Sequence, residues 1–210
     1  FVSVVRTDVM QGLLMLVGSV VIFYFVTRAA GGVASISRLS ALPEKQFLFE
    51  LNGGIPFAVL LGVSLSGSLK LLADPRQLSR FYALKDEAEV LRGKWIATIG
   101  LAIVLGCLFP VGIYAHLIMT DVTDTDLIVP SLVNDASVFP LWATDFLVVS
   151  ILAAAMSSMD SVLLVAASTL YKNIVAPFRP SSRELLWTRT AVMGFSIVAA
   201  LLALNPPGDI

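Results

Sequence analysis

The stretch that decides the fold is LWATDFLVVSILAAAMSSMDSVLLVAASTLYKNIV, residues 141–175. It is long enough to cross a bilayer as a helix, yet its middle and second half carry polar residues that include Ser157, Ser158, Asp160, Ser161 and Ser168. Polar groups at membrane depth are costly and usually functional. Spacings of three and four place small residues on one helical face: Ala154, Ser157, Ser158, Ser161 and Val165. The stretch therefore predicts a membrane-spanning helix whose small, polar seam meets another helix at close range.

This seam offers oxygen atoms that suit a hard monovalent cation. The hydroxyls of Ser157 and Ser158 lie about 100° apart around the helix axis, and the carbonyl of Ala154 precedes them by one turn. The remaining oxygen ligands would have to come from another helix. The alternative is that the serines bond back to carbonyls of the preceding turn and only ease packing. The spacing alone favours neither interpretation.

Composition places the whole chain in a membrane. Apolar residues make up 57% and charged residues 14%, and the mean hydropathy is +0.89, whereas a soluble domain is nearer half apolar and a quarter charged. The apolar residues come in long blocks, which favours a helical bundle over an outer-membrane barrel. A net charge of −1 gives no case for nucleic acid. No nucleophile–base pair and no phosphate-binding glycine loop is apparent, so we expect no enzyme and no organic cofactor.

We expect five crossings, at residues 9–27, 55–73, 95–119, 141–175 and 186–204. The connection at 74–94 is basic and is expected on the cytoplasmic side, whereas the connection at 120–140 has acidic residues but no Lys or Arg and is expected outside as a solvated loop. The crossing at 55–73 is rich in glycine and serine, which weakens a straight helix and favours an interruption. Interrupted helices expose backbone to substrate in secondary transporters, although small residues also permit close packing.

Three segments resemble one known family. AAAMSSMDSVLLVAASTLYKNIV at 153–175 is similar to the most characteristic segment of the sodium:solute symporter family, which includes sodium/proline, sodium/sugar, pantothenate and monocarboxylate transporters. DPRQLSRFYALKDEAEVLRGKW at 74–95 resembles its cytoplasmic loop, and TDVMQG at 7–12 resembles the start of an earlier helix. The resemblance implies an all-α integral membrane protein of the LeuT type, built from two inverted five-helix repeats. Residues 1–210 would then form part of one such membrane domain, truncated at both ends.

The resemblance implies a role for particular residues. By the family pattern, the Ser157 and Ser158 hydroxyls and the Ala154 carbonyl coordinate Na⁺. Asp8 corresponds to a carboxylate on the sodium exit path or in a second shell around the ion; a helix-stabilising acid near an N-terminus is the alternative. Weaker candidates for the substrate site lie on the interrupted helix: Ser64, Gly67 and Lys70. Snorkelling of an ammonium group to the membrane interface is the alternative for the lysine.

The expected function is sodium-coupled secondary active transport, that is, symport of a small organic solute such as a sugar, amino acid, vitamin or carboxylate. Na⁺ is the expected coupling ion, with no other cofactor. The expected location is the lipid bilayer of a bacterial inner (plasma) membrane, as a multi-pass protein. Two alternatives stay open: a symporter-like sensor domain fused to a signalling kinase, and a helical membrane scaffold that does not transport.

Overall fold

The apolar blocks fold as long helices, and the connections between them carry only short helical turns. The computed structural model describes residues 2–50, 55–75, 78, 84–119, 125–178 and 183–204. Its α-helices are α1 (Val2–Ala29), α2 (Ser35–Ser40), α3 (Phe57–Ala73), α4 (Glu87–Ile118), α5 (Ile128–Val133), α6 (Leu141–Leu170), α7 (Ala176–Phe178) and α8 (Glu184–Leu204). Two 3₁₀ turns lie at Pro43–Phe49 and Thr125–Leu127, and a π-helical turn at Tyr171–Val175 joins α6 to α7. No β-strand occurs among the described residues, as the sequence predicts.

Four helical segments of the described chain are long and apolar enough to cross a membrane: Arg6–Ala29, Glu87–Ile118, Leu141–Phe178 and Glu184–Leu204. The sequence predicts five. The segment that falls short is α3, whose 17 residues extend about 26 Å at 1.5 Å per residue, less than the ~30 Å hydrocarbon core. The integral membrane character is therefore confirmed through four helices, and a fifth crossing stays a prediction.

The predicted interruption of the second crossing is wrong for the part that the structure describes. Helix α3 is continuous from Phe57 to Ala73 despite its glycines and serines. The Ser68 hydroxyl donates to the Ser64 carbonyl at 2.8 Å, so this polar group is satisfied within the helix and has no need of a break.

The bundle is organised around α1, which packs against both α4 and α6, while α6 also packs against α8. A buried apolar cluster lies where the C-terminal half of α1 meets the end of α4 and the start of α6. Its members are Ile22, Val26, Val111, Tyr114, Leu132, Val133, Val138, Phe139, Ala143 and Leu147. The cluster lies at the end of the bundle next to the connection at 120–140, which has no Lys or Arg and is therefore predicted to face the outside.

The segment at 125–140 is not the simple solvated loop that its aspartates predict. Leu132, Val133, Val138 and Phe139 are all buried in the cluster just described. The Phe139 ring lies 5.7 Å from the Phe25 ring, centroid to centroid. The segment is thus a folded cap over one end of the bundle, because its apolar residues are removed from water along with those of the helices beneath it.

Candidate functional site

Helices α1 and α6 run antiparallel, and this pairing creates the site. The Phe25 ring of α1 lies 5.8 Å from the Trp142 ring at the start of α6. Gly18 lies against Ser150, and Asp8 lies against Ser157. As the residue number decreases along α1, the number of its partner on α6 increases, which is the order expected of two antiparallel helices.

The candidate site is the contact between Ser157 and Asp8. The Ser157 hydroxyl donates to Asp8 Oδ1 across the helix interface at 3.4 Å, and both residues are half-buried. This separation is longer than the usual 2.5–3.0 Å of an O–H···O bond, so the two oxygens converge without a tight direct bond. A hydroxyl and a carboxylate are both oxygen ligands of the kind that hard cations take. The arrangement can therefore present two oxygens from different helices to one small cation.

The structure divides the serines of α6 into two groups. Three donate to a carbonyl of the preceding turn: Ser150 to Phe146 at 2.9 Å, Ser161 to Ser157 at 3.1 Å, and Ser168 to Val165 at 3.0 Å. These bonds follow the packing interpretation. The Ser157 hydroxyl instead reaches across to α1. Ser157 is therefore a serine of the seam whose hydroxyl contacts another helix.

The two other predicted sodium ligands are not gathered around Asp8. Ser158 is exposed on the surface of α6, about 100° around the axis from its neighbour. Ala154 is half-buried and borders a cavity of about 230 Å³. Its carbonyl and the Ser158 hydroxyl as Na⁺ ligands stay predictions, since their partners would have to come from a further helix.

That cavity lies between α1, α4, α5 and α6, and most of its lining is apolar. The lining residues are Met15, Gly18, Ser19, Ile22, Val104, Leu108, Val129, Leu147, Ser150, Ile151 and Ala154. Its two serines turn their hydroxyls to their own helices, Ser19 to the Leu16 carbonyl at 2.8 Å and Ser150 to the Phe146 carbonyl at 2.9 Å. The cavity consequently offers few polar groups to a ligand.

The predicted substrate residues stand apart from this contact. Ser64, Gly67 and Lys70 are all exposed, and α3 contains no buried residue. Within the described part of the chain, helix α3 does not pack extensively against any other helix. A substrate role for these three residues therefore stays a prediction.

Two residues on α1 were not singled out by sequence reasoning, one close to the contact and one farther along the helix. Gln11 lies one turn after Asp8, and its buried Oε1 has no hydrogen-bond partner among the described residues; the spacing of three from Asp8 was the available signal. Gly18 carried no signal of its own, because only the register with α6 reveals what it faces. Within the described ranges, no group of three or more His, Cys, Asp or Glu side chains is placed to hold a metal ion.

Comparison with known proteins gives consistent matches along the whole chain. A family model described as SSF: Sodium:solute symporter family matches residues 1–207. The sodium/pantothenate symporter of Haemophilus influenzae is 27% identical over 217 residues, which cover 99% of this chain and 44% of the relative. The osmoregulated proline transporter OpuE of Bacillus subtilis is 30% identical over 219 residues, covering 100% of this chain and 44% of the relative.

A third relative, the high-affinity proline transporter PutP of Bacillus subtilis, is 30% identical over 222 residues, covering 97% of this chain and 44% of the relative. The chain thus spans less than half the length of the curated relatives it matches. No solved structure matches the chain.

Proposed function

Because this chain belongs to the sodium:solute symporter family, we propose that it forms part of a secondary active transporter that couples the entry of Na⁺ to the uptake of a small organic solute. The family predicted from the sequence is confirmed, and so is a multi-pass integral membrane protein. Its relatives are bacterial, which indicates the inner membrane. The relatives named above transport pantothenate or proline by their names, so these two solutes are the first to be tested.

The observation that carries the proposal is the meeting of Ser157 and Asp8 between α1 and α6. Asp8 lies near the start of the membrane helix Arg6–Ala29, and a carboxylate in a membrane helix is a mark of an ion or proton pathway. We assign the Ser157 hydroxyl to the Na⁺ site and Asp8 to its second shell or exit path. The Ala154 carbonyl and the Ser158 hydroxyl complete this chain's share of the ligands, and the rest come from outside the chain.

Coupling follows if Na⁺ binds one conformation of the bundle better than the other. An ion that binds both conformations equally shifts nothing, however tightly it binds. A site shared between two helices meets this requirement, because its oxygens converge only in the arrangement that holds α1 and α6 at the right spacing. The finer fold assignment belongs to this proposal: one membrane domain of the LeuT type, to which the chain contributes the last helix of the first repeat and most of the second.

The test is uptake of labelled proline, pantothenate, a monosaccharide and a monocarboxylate by cells that express the complete reading frame containing this chain. Uptake of one solute should be several-fold faster in Na⁺ than in K⁺ buffer. Ser157→Ala should then raise the Na⁺ concentration for half-maximal uptake (Na⁺ K0.5). Ser168→Ala is the matched control, because that hydroxyl is on the same helix but bonds its own backbone at 3.0 Å.

Equal uptake of all four solutes in Na⁺ and K⁺ would refute sodium-coupled transport and would favour the scaffold or sensor alternative. Sodium-dependent uptake with an unchanged Na⁺ K0.5 in Ser157→Ala would keep the transport function but remove Ser157 from the ion site.

A further inference from the structure

Gly18 lies where α1 and α6 approach each other closely. A Cβ atom added at this glycine would lie 2.8 Å from both the Cβ and the Oγ of Ser150. Both residues are almost fully buried, Ser150 at 5% exposure. Real Cβ atoms essentially never approach other heavy atoms below 3.0 Å. The absence of a side chain at position 18 is therefore what permits the present spacing of the two helices.

A side-chain rotation of Ser150 cannot relieve this overlap. Its Oγ can turn towards the adjoining cavity, but its Cβ is fixed to the backbone of α6. The contact between the two Cβ atoms would persist at 2.8 Å. Any side chain at position 18 must therefore move the helix backbones apart, by about 0.6 Å to reach the 3.4 Å of ordinary van der Waals contact.

The movement is larger at Asp8 than at the point of overlap, because α1 is held at one end. Val26 and Ala143 are both 0% exposed in the buried cluster, so the helices are least free to separate there. Gly18 lies about 12 Å along α1 from Val26, and Asp8 lies about 27 Å from it. If α1 tilts about this packed end, 0.6 Å at Gly18 becomes about 1.4 Å at Asp8. The 3.4 Å separation between Asp8 Oδ1 and Ser157 Oγ would then approach about 4.8 Å.

We propose that Gly18 is a positioning residue for the sodium site: its contact with Ser150 sets the spacing at which Asp8 and Ser157 meet. Gly18 does this without touching the ion. The inference rests on the proposed role of Ser157 and Asp8 in binding Na⁺. It adds that the affinity of the site depends on a packing contact about 15 Å away along α1.

The experiment measures Na⁺ K0.5 of solute uptake in the complete protein. Gly18→Ala should raise Na⁺ K0.5 by about three- to tenfold, because the Asp8 carboxylate moves away from Ser157 and their 3.4 Å contact opens beyond hydrogen-bond reach. Adding Ser150→Gly should restore it, because this change removes both atoms that the new methyl group overlaps. Adding Ser150→Ala should leave most of the increase in Na⁺ K0.5, because it removes only the Oγ, which can turn away, and the Cβ remains. Ser150→Gly alone controls for a glycine in the middle of α6.

Gly100→Ala is the matched control on the other side of α1. Its added Cβ would meet only Leu16 Cδ1, at 4.0 Å, so Na⁺ K0.5 should stay at the wild-type value. For every variant, the solute KM at saturating Na⁺ is measured together with the Na⁺ K0.5. A merely structural role of Gly18 predicts less protein in the membrane at an unchanged Na⁺ K0.5, whereas a positioning role predicts a shifted Na⁺ K0.5 for the protein that remains.

The outcomes separate this inference from the function on which it rests. If Ser157→Ala raises Na⁺ K0.5 but Gly18→Ala does not, the positioning role is wrong and the sodium site stands. If neither variant changes it, the positioning role of Gly18 and the placement of Ser157 in the sodium site are both wrong, whereas sodium-coupled transport stands. If Gly18→Ala produces no protein in the membrane, the two double variants decide: equal Na⁺ K0.5 in Gly18→Ala/Ser150→Ala and Gly18→Ala/Ser150→Gly overturns the inference, and a higher value in the former supports it.

Discussion

Replacing Asp8 by asparagine tests the electrostatic part of the proposed site directly. The change keeps the shape of the side chain and its ability to accept a hydrogen bond from Ser157, but removes one negative charge. Asp8 Oδ1 lies 3.4 Å from Ser157 Oγ, and hard cations sit roughly 2.4 Å from their oxygen ligands. A Na⁺ ion held by Ser157 on the side away from Asp8, with Asp8 in its second shell as proposed, would therefore lie about 5 Å from the carboxylate.

The expected loss of binding free energy follows from that distance. Two unit charges 5 Å apart attract by about 3.3 kcal/mol at an effective dielectric constant of 20 and by about 0.8 kcal/mol in water. Asp8 is half-buried, so an intermediate value of about 1.7 kcal/mol is appropriate. Asp8→Asn should then raise Na⁺ K0.5 by roughly 15-fold, within limits of about four- and two-hundredfold.

The assay is initial uptake of the transported solute against Na⁺ concentration, at constant ionic strength maintained with choline. Asp145→Asn is the matched control, because Asp145 is an exposed carboxylate on the same helix as Ser157 but about 18 Å along its axis, beyond the screening length of about 8 Å. It should leave Na⁺ K0.5 unchanged. A change of less than twofold in Asp8→Asn, with normal amounts of protein in the membrane, would refute the placement of the ion beside Ser157.

Three further predictions concern the cap and the topology. Hydrogen bonds from the Ser137 hydroxyl (2.7 Å) and N–H (2.8 Å) lower the pKa of Asp135 below its usual 3.8. A carboxylate whose pKa is lower in the folded than in the unfolded protein stabilises the fold above the unfolded pKa, and this stability is lost as the pH falls through the folded pKa. Ser137→Ala should therefore lower Tm at pH 7, whereas well below pH 3.8 it should leave Tm unchanged. Thr144→Val removes the 3.1 Å bond from Thr144 Oγ1 to the Val133 carbonyl and should cost about 1 kcal/mol, or about 2–4 °C in Tm. In a cysteine-free background, the Ser137→Cys thiol should be labelled by a thiol reagent added outside the cell, and the Lys94→Cys thiol by a reagent on the cytoplasmic side.

Each of these has an outcome that contradicts it. A Tm difference between wild type and Ser137→Ala that persists unchanged as the pH falls well below 3.8, to where Asp135 is protonated in the folded protein, would exclude the Asp135 carboxylate as its source. Thr188→Val is the control for Thr144→Val, since the exposed Thr188 hydroxyl donates within α8, to the Glu184 carbonyl at 3.0 Å. If both valine variants lower Tm equally, the hydrogen bond from Thr144 to the cap contributes no stability of its own. Labelling of both cysteines from the same side would overturn the predicted orientation.

The sequence by itself determined the class of the protein and most of its helices. Hydrophobicity and length are local quantities, so the apolar blocks at 9–27, 95–119, 141–175 and 186–204 coincide, to within one residue, with observed helices or their π-helical extension. The resemblance carried by residues 74–95 and 153–175 was sufficient for the family. Local chemistry also explains why α4 begins two turns before its apolar block, since Asp86 accepts a hydrogen bond from the Glu89 N–H at 2.9 Å as its N-cap.

The local rules were insufficient where two elements meet. Residues 125–140 read as a polar loop, but the apolar side chains among them gain a partner only after α1, α4 and α6 have assembled. The glycine and serine content of α3 predicted a break, but the described helix is continuous, and the Ser68 hydroxyl finds its acceptor within it.

The site shows the same division. Helical periodicity placed Ser157 and Ser158 together on a polar seam, but periodicity only says which residues share a face. Which of them meets Asp8 depends on the rotation and register of α6 against α1, and these are decided by contacts far along both chains, such as Gly18 against Ser150. A packing distance between two helices is a property of the pair, so no single segment of the sequence could have revealed it.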